Sequence, residues 1–134
     1  AGDALGIDIS ETAIRKAKQK YPGVRFSVGD ILDFDLLREY QPDCIVLAEI
    51  SWYILDKIDE FQRFLKHEYT GREVIFLHTL MTYSSGEQKY GGEYFSDLKG
   101  IMDYWTCVDF LQWGEISQKE YQGGKRTFCF GLIK

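Results

Sequence analysis

The segment that most constrains this chain lies in its first thirty residues. A short apolar run, Ala4-Leu5-Gly6-Ile7, ends in Asp8-Ile9-Ser10, and a second run from Val24 ends in Val28-Gly29-Asp30-Ile31. Between them Ala13, Ile14, Ala17 and Tyr21 recur at helical spacing, while Arg15, Lys16, Lys18 and Lys20 fall on the opposite face. Ser10 is placed to cap that helix, and Glu11 sits in its first turn, where the helix dipole favours a negative charge. Pro22-Gly23 ends it, and Val24 to Val28 alternates as a strand, with Val24, Phe26 and Val28 on one face. Strand, helix, strand in so short a span predicts a βαβ unit with parallel strands. Ligands of open parallel sheets bind at the carboxyl ends of the strands. Two carboxylates at neighbouring strand ends can grip the sugar and the base of a nucleoside.

The remaining sequence continues the alternation. Asp33 to Tyr40 reads as a short helix or turn. Pro42-Asp43 introduces the strand Cys44 to Ala48, apolar enough to be covered on both faces. Leu55 to Tyr69 reads as a helix with Ile58, Phe61, Phe64 and Leu65 inward, closed by Thr70-Gly71. Glu73 to Leu80 reads as a strand and Met81 to Gly92 as a loop. Tyr94 to Trp105 reads as a helix with Phe95, Leu98, Ile101, Met102 and Trp105 on its apolar side. Val108 to Ser117 and Arg126 to Ile133 form a hairpin-like pair around Gln122-Gly123-Gly124.

Length and composition suit one folded α/β domain over residues 1–134. Aromatic residues make up 16% and charged residues 28%, which argues against disorder. A net charge of −5 argues against nucleic acid as partner, because phosphate binding needs clustered Lys and Arg. The Lys-rich face of the first helix reads as a solvated helix face. Cys44, Cys107 and Cys129 lie far apart without metal-ligand spacing, inside apolar strand-like runs. They read as buried free thiols in a reducing cytoplasm, with no metal site. No run of eighteen apolar residues and no signal-peptide pattern occurs, so no membrane partner is expected.

Gly6-Ile7-Asp8-Ile9-Ser10, then Ala13-Ile14, Ala17 and Tyr21-Pro22, then Gly29-Asp30-Ile31, resembles the S-adenosylmethionine-dependent methyltransferases of the Rossmann-like class. Asp43 to Ile50 is similar to that family's fourth strand and the loop after it. The resemblance implies a mostly parallel sheet flanked by helices, with an antiparallel hairpin at the carboxyl end. It implies S-adenosylmethionine as cofactor and a small molecule as methyl acceptor. Asp8 would accept from both ribose hydroxyls, Ile9 would pack on the adenine, and Asp30 would accept from the adenine amino group. Gly29 belongs to the same motif, and the Ile31 N–H would meet a ring nitrogen. Glu49, after the fourth strand, would reach the methionine end or the acceptor. Glu49-Ile50-Ser51-Trp52-Tyr53-Ile54-Leu55 further resembles the Glu-x-x-Tyr-Tyr-x-Leu pattern of nodulation-type N-methyltransferases that act on chitooligosaccharides.

The family pattern also places a Gly-rich loop, G-x-G-x-G, on a strand before the Gly-Ile-Asp motif. Here the sequence opens at Ala1-Gly2-Asp3, so a strand, that loop and a helix of the pattern are lacking, and the chain reads as a fragment. Weak or absent activity is then expected of the chain alone, along with homodimerisation through strand edges left unpaired. His78, near the end of the fifth strand of the pattern, is the candidate general base. Tyr83, Tyr90 and Tyr94 surround the long loop and are candidate acceptor contacts, while His67 near a helix end carries no expected role. Two rival readings remain. A nicotinamide-dependent dehydrogenase shares the ribose acid but lacks the Gly29-Asp30-Ile31 motif; a non-catalytic module would keep the fold for binding or assembly.

Overall fold

A computed structural model describes residues 3–83, 87–117 and 124–134. The chain divides into two compact units, Ala1–Glu39 and Tyr40–Lys134.

The first unit is the expected βαβ. Strands β1 (Leu5–Asp8) and β2 (Arg25–Val28) pair in parallel, with Asp8 opposite Val28, and α1 (Glu11–Lys20) connects them. Ser10 caps α1, its hydroxyl accepting from the Ala13 N–H at 3.2 Å. Ile14 is the buried residue of that helix. Gly6 is required by packing: a Cβ there would stand 2.5 Å from the Phe26 ring. The unit ends with α2 (Phe34–Tyr40).

In the second unit the strands run in the order β3-β4-β6-β5. Strand β3 (Cys44–Ala48) pairs in parallel with β4 (Ile75–Tyr83), which pairs antiparallel with β6 (Gly124–Ile133), and β6 pairs antiparallel with β5 (Val108–Ser117). The carboxy-terminal hairpin pair is as expected, although Gln122 and Gly123 lie outside the described residues. Leu111 is the extra residue where the β5–β6 register shifts. A Cβ on Gly131 would come within 2.1 Å of the Asp109 carbonyl oxygen, so only glycine fits opposite that bulge.

One face of this sheet carries the core. Ile45, Leu47, Phe76, Leu80, Cys129 and Ile133 are all buried. So are Ile58, Phe61, Phe64 and Leu65 of α3 (Ile58–Tyr69), as their spacing predicts. From α4 (Leu98–Tyr104) Ile101 is buried, and Trp105 just beyond lies 4.7 Å from Phe76 between ring centroids.

Several expectations are corrected. Strand β3 is covered on one face only: Ile45 and Leu47 are buried, but Val46 is 52% exposed and Cys44 is exposed too. Its apolar run therefore fills alternate positions of a half-buried strand at the margin of its sheet. Burial does push the Cys107 thiol up to about 11 and the Cys129 thiol to about 12. Helix α4 starts later than the apolar spacing suggests, because the Asp97 carboxylate accepts from the Gly100 N–H at 2.7 Å and caps it there. Phe95 is buried from outside the helix. Helix α3 begins at Ile58 rather than Leu55, after a turn closed by the Lys57 N–H on the Ile54 carbonyl. Strand β4 continues to Tyr83 because its register with β6 does, so Met81 to Tyr83 are strand and not loop.

Candidate functional site

In the first unit both acids stand at the carboxyl ends of paired parallel strands. Asp8 closes β1; one carboxylate oxygen accepts from the Ser10 N–H at 2.7 Å, holding the turn that starts α1. Its other oxygen has no partner among the described residues, and the residue is exposed. Beside it Ile9 is 71% exposed, an apolar side chain that the unit leaves unpacked.

Gly29 joins the two strand ends, its N–H donating to the Asp8 carbonyl at 3.1 Å. A Cβ there would meet Asp33 at 3.0 Å and Ile7 at 3.2 Å, so those side chains would have to give way by a few tenths of an ångström. Asp30 is half-buried and accepts from the Leu32 N–H at 3.0 Å, while its own N–H donates to the Asp33 carboxylate at 2.7 Å. The Ile31 N–H has no acceptor among the described residues. Thus one unit brings together an open carboxylate oxygen, an exposed apolar side chain, a half-buried carboxylate and an unsatisfied N–H. Those groups match the ribose diol, ring face, amino group and ring nitrogen of an adenine nucleoside. The site residues fit the adenosine part of the expected cofactor.

The residues expected to do chemistry lie in the second unit, and each is already engaged there. Glu49 follows β3 with φ +60, a left-handed conformation uncommon for a residue with a Cβ. One carboxylate oxygen accepts from the Met81 N–H at 2.8 Å. The other lies 3.1 Å from Arg126 Nε, close enough for an ion pair, but the angle does not make a hydrogen bond.

His78 is closed to solvent. Its Nε2 lies 2.6 Å from the Ser51 hydroxyl, which is equally buried, and its Nδ1 has no hydrogen-bond partner among the described residues. The ring stacks on Phe76 and tilts against Trp105. Burial pushes its pKa down to about 4, so the imidazole is neutral at pH 7. In this placement neither ring nitrogen opens to solvent.

Trp52 donates from its indole to the Met81 carbonyl at 2.9 Å and lies 5.1 Å from Phe95. Tyr53 next to it is 84% exposed and Tyr90 is 78% exposed. Tyr94 packs edge-on to Tyr104, whose hydroxyl donates to Asp59. Burial, then the Asp59 carboxylate, pushes that phenol well above its ordinary range. Sequence reasoning did not single out Ser51 or Arg126. Ser51 pairs with a residue 27 positions away, and neither sits in a motif that would announce it.

No protein-family model matches the chain, and no curated protein sequence does. Solved structures do. The N-methyltransferase NodS from Bradyrhizobium japonicum WM9 superposes with a TM-score of 0.67 at 13% identity, covering 98% of this chain and 74% of that one. The same enzyme in complex with S-adenosyl-L-homocysteine gives 0.65 at 14% identity, with 98% and 66% covered. A S-adenosylmethionine-dependent methyltransferase from Clostridium acetobutylicum gives 0.63 at 13% identity, with 99% and 76% covered. The chain has the fold of the Rossmann-like methyltransferases.

Proposed function

We propose that this chain belongs to a S-adenosylmethionine-dependent methyltransferase that acts on a small-molecule acceptor. The observation that carries the reading is the pair of strand ends at Asp8 and Gly29-Asp30-Ile31, with Ile9 exposed beside them, in a fold shared with such enzymes. Asp8 holds the ribose hydroxyls through its open oxygen, and its bonded oxygen keeps the carboxylate oriented. Ile9 covers one face of the adenine, Asp30 receives the amino group, and the Ile31 N–H meets a ring nitrogen. The cofactor brings an activated methyl group, so the protein's work is alignment and exclusion of water rather than proton transfer. A chain whose His78 is buried and whose Glu49 is ion-paired is compatible with that division of labour.

In this reading Glu49 and the exposed Tyr53 flank the acceptor, and Tyr83 and Tyr90 are further contacts. The likeness to an N-methyltransferase and the resemblance carried by Glu49 to Leu55 favour nitrogen as the accepting atom. No helix among the described residues is long and apolar enough to cross a membrane. A cytoplasmic enzyme remains the reading of the thiols. Among the described residues strand β3 pairs on one side only, which supports self-association as the protein–protein partner.

Calorimetric titration with S-adenosylhomocysteine tests the assignment. Asp8→Ala is expected to lose about 10- to 100-fold in affinity, the worth of hydrogen bonds to a charged group at about 1.5–3 kcal/mol. Asp30→Ala is expected to lose less, because the Ile31 N–H still contributes. Equal binding by wild type and Asp8→Ala would reject the ribose role. Cofactor binding without transfer to any amine acceptor would favour the non-catalytic binding module instead.

A further inference from the structure

His78 and Ser51 form a polar pair where the fold gains little from one. Both are fully buried, and apolar or aromatic residues surround the imidazole, with Phe76 stacked on it and Trp105 tilted against it. Burying a polar group is unfavourable unless its hydrogen bonds are met, and here Nδ1 stays unmet among the described residues. An apolar side chain would fill the same space without that penalty. What the pair does make is a link between β4 and the turn that follows β3.

Among the described residues, that turn is held to β4 at four points. The Glu49 N–H donates to the Thr79 carbonyl at 2.9 Å, and the Glu49 carboxylate accepts from the Met81 N–H at 2.8 Å. The Trp52 indole donates to the Met81 carbonyl at 2.9 Å, and Ser51 meets His78 at 2.6 Å. The first three bonds use backbone groups of β4 and lie nearer the rim. Only the last uses a β4 side chain, and it lies inside. The turn needs holding, because Glu49 takes a left-handed backbone without being glycine. The next segment rests on it: a Cβ on Gly91 would stand 2.6 Å from the Trp52 ring, and Phe95 packs on that ring from beyond.

We propose that Ser51 and His78 are positioning residues whose hydrogen bond fixes the Glu49–Tyr53 turn, so that Glu49 and Tyr53 are presented at the carboxyl end of β3 in one conformation. The proposal deepens the methyltransferase reading, in which that turn meets the acceptor. His78 acts through Ser51 and touches no substrate.

Amide hydrogen exchange on the whole chain, without ligand, tests it. Ser51→Ala is expected to lower protection about tenfold or more at the N–H groups of Glu49, Tyr53 and Ile54 and at the Trp52 indole, with the β4–β6 ladder changed by less than about threefold. The double variant Ser51→Ala with His78→Leu replaces both polar partners by apolar groups, so it keeps the fold while cutting the link. It is expected to show the same loss at the turn with an unchanged or raised unfolding midpoint. Ser51→Thr, which keeps a hydroxyl, is expected to restore protection at the turn relative to Ser51→Ala. Uniform loss across turn and ladder, or a turn still protected in the double variant, would overturn the proposal. Because no cofactor enters the measurement, these outcomes are independent of whether S-adenosylhomocysteine binds.

Discussion

Among the described residues of the amino-terminal unit, Ile14 alone is closed to solvent, whereas the carboxy-terminal unit buries Trp105, Tyr69, Phe61, Phe76, Leu65 and many more. The two regions use polar side chains in opposite ways. In the first, Asp8 spends one oxygen on its own turn and leaves the other open. In the second, Glu49, Ser51 and His78 are all drawn into holding a loop on a sheet. Polar groups are left open where the core is thin, and the thick core absorbs polar groups of the same kinds into structure. A carboxylate or an imidazole in a sequence does not say which of these it will be.

The contrast can be broken most forcefully in the core. Trp105→Ala is expected to cost about 3–5 kcal/mol by denaturant unfolding, as for a fully buried aromatic residue. Ile14→Ala in the first unit is expected to lie near the low end of its class, about 2 kcal/mol, because little around it is buried. Equal losses would erase the distinction between the units.

A second effect isolates His78. Its folded pKa, about 4, lies below the unfolded value of 6.5, so between those pH values the unfolded chain binds the extra proton. Its contribution is therefore complete above pH 6.5 and is lost as pH falls toward 4. At 1.36 kcal/mol per unit the full loss approaches about 3 kcal/mol. Comparing wild type with His78→Leu across that window removes the shared carboxylate titrations. Parallel curves for the two proteins would show that the imidazole is not buried neutral.

How much of this could be read beforehand follows from distance along the chain. Asp8, Gly29 and Asp30 were legible because the helix between them is short and each motif marks a strand end locally. The inward faces of α3 were legible from helical spacing for the same reason. The ends of α4 and β4 were not, since one is set by the Asp97 cap and the other by pairing with a strand far along the chain. The burial of His78 was not legible, because it depends on Trp105 and its partner on Ser51, contacts that no local pattern encodes. The open face of strand β3 was not legible, because an apolar run shows that one face is buried and is silent about the other.

The exposed side of β3 yields the smallest effect on stability. Val46→Lys is expected to change unfolding free energy by less than about 0.5 kcal/mol, as for surface sites. By light scattering it is expected to reduce self-association of the chain, because a charge on a marginal strand discourages pairing. A monomeric wild type would end that partner reading.

In the proposed function the ends of β1 and β2 hold the adenosine part of S-adenosylmethionine. A titration of the labelled chain with S-adenosylhomocysteine, followed by backbone amide resonances, tests this. Saturable shifts are expected at Asp8, Ile9, Ser10, Asp30 and Ile31, reduced in Asp8→Ala. Saturable binding that leaves those five amides unmoved would contradict it.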